Sequence, residues 1–553
     1  MRIREWPIHF FFGSVAVVSG LIVSVVGGRG NMAGDGISYL DMGDALVNGH
    51  WRLALNGFWS PLFPLIEGLS LRVFHPPPLR ETIVVVLTQF MIFILALLCF
   101  QFFWRRVLRL YGEKCTITSS DGSCAGFSEG AFWALGYTIF IYSALPLLDF
   151  TTPDLLLTAL LSLAEGMVLE IYLGKRGWPW FMALGGTVGL GFLAKAVILP
   201  LSITFLAAAA LVPPIDRRAF SRVALVAVAF LLIIFPYIWA LSAVQGHVTY
   251  GSAGRLNYAW HVNNVPNVYA LGPPRGSVAL VHPTRLLLAS PAVYEFAYPI
   301  EGTYPPWDNP AYWNEGLEPH FLLRNQIRTL LRNIITLLTI CLSQSSLLAG
   351  VAILMVARRH LREMVREFAL MWYLWLPGAA AIALYVTIHV EPRYISPFWG
   401  LLWAPLICLV RLPDRKEVRR FLKAASIVSV TIMMIQTGLP IIPDALSGQR
   451  GAAQEVAIAR GLMDAGIRPG DKIAVIDDFG NEWQRLIHVS VIVEILDANS
   501  FWASDAARQA QVYELLAAHG AAALVAGTFP NATSLVGWRR IGTTSVYIRS
   551  LKK

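Results

Sequence analysis

The chain has 553 residues, 56% of them hydrophobic and only 14% charged. That balance excludes a soluble globular domain and predicts a polytopic membrane protein. The net charge of +9 is a topology signal, because no basic-aromatic interleaving of the kind that grips nucleic acid accompanies it.

Apolar runs long enough to cross a bilayer predict about eleven spans. They fall near 8–27, 83–104, 131–148, 153–173, 179–196, 198–213, 223–244, 333–357, 367–388, 394–411 and 421–443. Lys195 and Pro200 interrupt one long apolar region between the fifth and the sixth. The first span has a long apolar core and no Ala-x-Ala site after it, which predicts an uncleaved anchor rather than a signal peptide. Arginines and lysines crowd every second connection, as in Arg105/Arg106/Arg109, Lys175/Arg176 and Arg358/Arg359/Arg362/Arg366. The positive-inside rule then places the N-terminus and those connections in the cytoplasm. It places 28–82, 245–332, the 389–393 turn and the C-terminal tail outside.

The stretch from Gly34 to Gly49 leaves the first span carrying Asp35, Asp41 and Asp44. From Ser38 its pattern is helical, with Tyr39, Leu40, Gly43, Leu46 and Val47 on one face and Ser38, Asp41, Asp44 and Asn48 on the other. The expectation is an amphipathic helix on the membrane surface, its acids facing water, with Asp35 just before it. Asp35 read by its local sequence alone suits a helix N-cap as well as a reactive carboxylate. Ser60 to Phe74, with its prolines and Glu67, predicts a second interfacial helix ended by His75-Pro76-Pro77-Pro78. Asp149 closes the third span at the water boundary. Thr152-Pro153-Asp154 suits a helix start, which by itself accounts for Asp154.

Lys195 lies at the outer end of an apolar span, where it either snorkels or meets a phosphate. Glu165 and Glu170 lie toward the inner side and read as structural. The long 245–332 loop gathers Arg255, Tyr258, Trp260 and His261, a mixture that suits sugar faces and membrane interfaces alike. The turn His389-Val390-Glu391-Pro392-Arg393-Tyr394 packs ionisable groups between two spans. Cys99, Cys115, Cys124, Cys341 and Cys408 match no zinc spacing, and no disulfide is indicated. Beyond about 450 the pattern changes to a helix over 452–465, strands at 472–476, 489–496 and 521–525, a helix over 505–519, and final strands at 538–541 and 545–548. This alternation predicts a small α/β domain over 450–553, after a membrane domain over 1–445 with outer loops 28–82 and 245–332.

Over roughly 1–411 the order of these features resembles the GT-C glycosyltransferases, in particular the aminoarabinose transferases and protein mannosyltransferases. The resemblance rests on Asp35 with Tyr39…Ala45-Leu46…Gly49, on Ser60-Pro61-Leu62, on Thr152-Pro153-Asp154, on the run Gly189–Lys195, and on Glu391-Pro392-Arg393-Tyr394. It implies a GT-C type α-helical membrane enzyme in the inner membrane of a bacterium, working on the outer, periplasmic side. Its donor would be a polyprenyl-phosphate-linked sugar, its acceptor a lipid, glycan or protein, and its surroundings membrane lipids. The resemblance assigns the catalytic position to Asp35 and the phosphate contact to Lys195. Arg255, Tyr258, His261, Glu391, Arg393, Tyr39 and Asp149 join them as substrate-binding candidates. Direct displacement would invert the anomeric carbon. Relatives often carry two adjacent acids at the first site, whereas Gly36 follows Asp35 here, so a divalent metal stays open. A transporter or flippase of lipid-linked sugars is the competing class. It would show internal repeats and charges at the midplane, whereas these charges cluster at the outer ends of spans.

Overall fold

The computed structural model describes residues 6–26, 32, 34–55, 57–118, 124–125, 127–211, 218–265, 285–296, 302–304, 319–345, 347–350, 352, 361–410, 412–413, 415–476, 482–527, 529–530 and 536–552. The chain is mostly helical. α1 is Trp6–Val26, α2 Asp35–Val47, α3 Trp51–Ala54, α4 Leu62–Phe74, α5 Glu81–Thr118 and α6 Glu129–Ala144. α7 is Asp154–Tyr172, α8 Trp178–Ala194, α9 Ile198–Leu211, α10 Ala219–Gln245 and α11 Ala253–His261. Further helices cover Leu323–Leu342, Leu361–Leu370, Trp372–Ile388, Trp399–Cys408 and Lys416–Asp464.

Among the described residues five helices are long and apolar enough to cross a membrane, and six if the pair Arg362–Leu370 and Trp372–Ile388, bent by 83°, counts as one. That is fewer than the eleven crossings expected from hydropathy. The difference has local causes. Trp178–Ala194 and Ile198–Leu211 are apolar but short. The 394–411 segment is broken into Pro392–Ile395, a 3-10 turn at Ser396–Phe398 and Trp399–Cys408. Part of the 333–357 segment lies outside the described residues. The gap between α8 and α9 falls at Lys195, whose backbone is extended (φ −155°, ψ 126°). Pro200 is harmless in the first turn of α9, where its missing N–H would have no partner anyway.

Expected interfacial elements appear as helices with clear stops. α2 begins after Gly34, whose φ of 62° is a left-handed value that glycine adopts without strain. Gly34 is therefore the N-cap, and Asp35 is the first helical residue rather than its cap. α4 ends where His75 turns left-handed (φ 43°) before three prolines. α2 and α4 cross closely at Gly43 and Gly68: a Cβ on Gly43 would lie 2.7 Å from the Pro64 carbonyl oxygen and 3.0 Å from the Gly68 nitrogen.

The tail contributes five strands to a seven-stranded sheet, and two features go beyond the expectation. The strands are β2 Arg285–Ala289, β3 Ala292–Glu295, β5 Lys472–Ile476, β6 Ser490–Ile495, β7 Ala523–Ala526, β8 Arg539–Arg540 and β9 Tyr547–Ser550, while β1 Cys124–Ala125 and β4 Leu412–Pro413 pair separately. The seven-stranded order is β2-β3-β6-β5-β7-β9-β8, with β5 parallel to β6 and β7. The β2–β3 hairpin comes from the long 245–332 loop and extends the sheet antiparallel, Val293 facing Ile495. The second feature is continuity: the last apolar helix does not stop near 443 but runs unbroken to Asp464.

The acidic face of α2, expected to face water, is instead covered by this sheet domain. Met32, Leu40, Leu71, Val84 and Val85 share one apolar core with Phe296, Tyr304, Trp483, Val491 and Ile548. The Arg485 guanidinium, 2% exposed, reaches Asp41 at 2.7 Å, Asp44 at 2.6 Å and Glu81 at 3.0 Å. Asp41 also accepts from the backbone N–H and hydroxyl of Thr303, at 2.7 and 3.0 Å. Toward the opposite end of α7, Glu170 pairs with Arg106 at 2.7 Å, a structural role as expected.

Candidate active site

One cavity of about 570 Å³ opens beside the N-terminus of α2. Asp35, Asp149, Glu391 and Arg393 line it together with Tyr142, Leu147, Ile340, Trp399, Gln436 and Thr437. Its charged residues come from short, irregular backbone: the start of α2, the 3-10 turn Leu145–Asp149 and the 389–393 turn. Tyr142, Ile340, Trp399, Gln436 and Thr437 come from helices.

Arg393 links the polar groups. It donates through Nη2 to Asp35 Oδ2 at 3.0 Å and through Nε to Glu391 Oε2 at 2.7 Å. Glu391 Oε1 meets His389 Nε2 at 2.9 Å. The His389 ring stacks on His261, centroids 3.8 Å apart and 3° from parallel. Burial raises the Asp35 carboxyl above its ordinary 3.8, outweighing the charge and hydrogen bond of Arg393 that pull it down. Glu391 behaves oppositely. Burial pushes its carboxyl up, but the hydrogen bond from His389 and the charge of Arg393 more than reverse that and hold it at about 2. Two acids on one arginine are thereby separated into a permanent carboxylate and a stronger proton acceptor, the division that acid–base sites use.

Lys195 lies nearby. Its ammonium donates to Asp154 Oδ1 at 2.5 Å and sits 4.3 Å from the centre of the Tyr394 ring. Asp154, 1% exposed, takes a second hydrogen bond from the Thr152 hydroxyl at 2.8 Å. Asp154 is thus the partner of Lys195, a role that its position at a helix start hid. The ring of Tyr394 stacks on Tyr385 and lies 5.0 Å from the Arg393 guanidinium.

The remaining sequence candidates divide. His261 joins the network through His389. Burial, with His389 and Arg332 close by, pushes its imidazole down to about 4, so it is neutral at pH 7 and offers no cation. Tyr258 donates to Gln326 Oε1 at 2.9 Å, and Gln326 donates on to the Thr387 carbonyl, so Tyr258 braces the outer helices. Arg255 is exposed on α11 and does not line the cavity. Tyr39 is buried edge-on against Trp59 and Phe63, in the packing beneath α2. The cavity residues that sequence reading missed, Tyr142, Trp399, Gln436 and Thr437, sit within apolar helices, where only Gln436 breaks the pattern visibly. No group of three or more His, Cys, Asp or Glu among the described residues is arranged for a metal ion. Asp35 shares Arg393 with Glu391, and Arg393 and His389 engage both oxygens of Glu391.

No family model and no curated protein matches the sequence. Solved structures do match the fold. The apo crystal structure of ArnT, an aminoarabinose transferase from Cupriavidus metallidurans, superposes with a TM-score of 0.56 at 13% identity, covering 98% of this chain and 97% of that one. ArnT bound to undecaprenyl phosphate gives 0.58 at 13% identity over 100% of this chain and 98% of that one. Over nearly its whole length the chain therefore has the fold of these ArnT structures.

Proposed function

We propose that the chain is a membrane glycosyltransferase that moves a sugar from a polyprenyl-phosphate carrier to an acceptor hydroxyl at the outer membrane boundary. The observation that carries this reading is the cavity lined both by Asp35, Glu391 and Arg393 and by residues of apolar helices. A polyprenyl phosphate has the same mixed character. Its chain suits the apolar helices, and its phosphate suits the end where Arg393 lies, with Lys195 close to it. That the matched ArnT structure holds undecaprenyl phosphate supports the same ligand class.

The chemistry follows from the charges. When the bond from the anomeric carbon to the phosphate oxygen breaks, negative charge grows on the leaving phosphate, and the Arg393 guanidinium is placed to stabilise it. In a water-poor cleft such stabilisation contributes several kcal/mol. Asp35, with its raised carboxyl, accepts the proton of the acceptor hydroxyl as that oxygen attacks. In-line attack inverts the anomeric carbon. Glu391 stays ionised and, with His389, holds Arg393 in place.

The test is transfer by purified protein from a polyprenyl-phosphate-linked sugar pool, followed by mass spectrometry of the product. Asp35→Asn keeps the size of the side chain and removes the proton acceptor. Turnover should fall by about two orders of magnitude or more, the usual contribution of a general base. An Asp35→Asn protein that turns over like wild type would remove Asp35 from this role.

A further inference from the structure

We infer that Arg485, in the sheet domain, is a positioning residue for Asp35; the inference rests on the assignment of Asp35 as the base. α2 is not anchored by a span of its own. It is held on one side by the Gly43–Gly68 crossing with α4 and on the other by the sheet domain. Arg485 is the centre of the second hold. One guanidinium serves Asp41 and Asp44 of α2 and Glu81 at the start of α5. Its neighbour Trp483 packs in the same apolar core as Leu40 of α2. His488, three residues on, meets Glu81 at 2.7 Å.

Three carboxylates this close repel one another without a shared cation, and the repulsion grows with burial. Without Arg485, then, the outer half of α2 is driven away from α5 and from the sheet. A helix is stiff: Asp41 lies about 9 Å along the axis from Asp35 at 1.5 Å per residue. Movement at Asp41 is therefore passed to the first residue of the same helix. The Asp35–Arg393 contact of 3.0 Å tolerates little of it, and a misplacement of about 1 Å at a reacting group can cost 10²-fold. The donor contacts Arg393 and Lys195 stand on other elements and stay in place. Loss of Arg485 should thus spare donor binding and slow the chemical step.

The experiment uses the purified full-length protein with Arg485→Gln and Arg485→Lys, measuring kcat, donor KM and backbone hydrogen exchange over 35–47. Arg485→Gln is expected to speed exchange in α2 and lower kcat by about 10²-fold with donor KM not raised. Arg485→Lys, able to serve some of the three acids, should recover part of the loss. If Arg485→Gln does not insert and fold, it is combined with Asp44→Asn, which removes the 34% exposed acid and with it part of the repulsion, and the double variant should show a smaller fall in kcat with donor KM not raised. Wild-type kcat in the folded variants, or a change confined to KM, would overturn the inference. Asp35→Asn is assayed beside them. If it is inactive while Arg485→Gln is normal, only the positioning role falls; if it is active, the base assignment falls and the positioning role with it.

Discussion

Substituting alanine for Lys195 withdraws the ammonium that donates to Asp154 at 2.5 Å, while leaving a carboxylate that is 1% exposed. Removing one partner of a buried ion pair costs about 3–5 kcal/mol, because the remaining charge has neither water nor a counter-charge. Two features favour the lower end here. Thr152 still donates to Asp154 at 2.8 Å, and the Lys195 side chain is itself 21% exposed. About 3 kcal/mol is the expected loss, read as a lower thermal midpoint of the detergent-purified protein by tryptophan fluorescence. The double variant Lys195→Met with Asp154→Asn removes both charges and should return to within about 1 kcal/mol of wild type. In that stable background the phosphate role can be read separately. Losing one charge-assisted hydrogen bond of about 1.5–3 kcal/mol raises donor KM by about tenfold or more. Wild-type stability of Lys195→Ala would refute the structural half of this reasoning. Wild-type donor KM in the double variant would refute the phosphate half, leaving Lys195 a purely internal counter-charge.

Two further outcomes are expected. Asp35 must be ionised to accept a proton, and its carboxyl is raised above 3.8; activity should therefore fall on acidification with a midpoint above that value, seen in a kcat–pH profile. Arg393 lowers the Asp35 carboxyl, so Arg393→Gln should move the midpoint of the residual activity further up, and a downward move would contradict the geometry. Gly43→Ala gains about 1 kcal/mol of helix propensity. The new Cβ nevertheless meets backbone of α4 at 2.7 and 3.0 Å, an overpacking worth about 1–3 kcal/mol. The variant should be less stable and less active, whereas the same change at exposed Gly254, where a Cβ meets nothing within 4 Å, should be nearly silent in activity.

Local pattern reached some of this architecture and missed other parts for identifiable reasons. The prolines after His75, the glycine before Asp35 and the charged turn at 389–393 are signals contained in a few adjacent residues, and the structure has a helix end, a helix start and an ion-pair cluster there. Asp41 and Asp44 misled because amphipathic spacing tells which residues share a face and not what covers it. Their partner, Arg485, lies 444 residues beyond Asp41 in a segment with no motif. Asp154 misled for a related reason: a sufficient local explanation hid a partner 41 residues away. The β2–β3 hairpin is short, and its only clear reason to exist is the free edge of β6, which the loop sequence does not reveal. Hydropathy did not show that apolar segments break at Lys195, Met371 and Ser396, since a window average is insensitive to a bend.

The charge balance at the cavity links donor binding to the strength of the base. The cations close to Asp35 are Arg393 and Lys195, and both are already matched, Arg393 by Asp35 and Glu391 and Lys195 by Asp154. A phosphate arriving at Arg393 must therefore share a guanidinium that two carboxylates hold. Glu391 keeps its share because His389 supports it from the other side. Among the described residues Asp35 has no such second support and gives way first, at a site where burial already raises its carboxyl. Losing part of Arg393 raises it further, so Asp35 becomes the better proton acceptor only while the donor phosphate is in place. Before the donor arrives, the same arginine keeps Asp35 paired. On this reasoning the acid midpoint of kcat, which reports the bound enzyme, lies above that of kcat/KM, which reports the free one. The reverse order would mean that the phosphate takes its cation from somewhere other than Arg393.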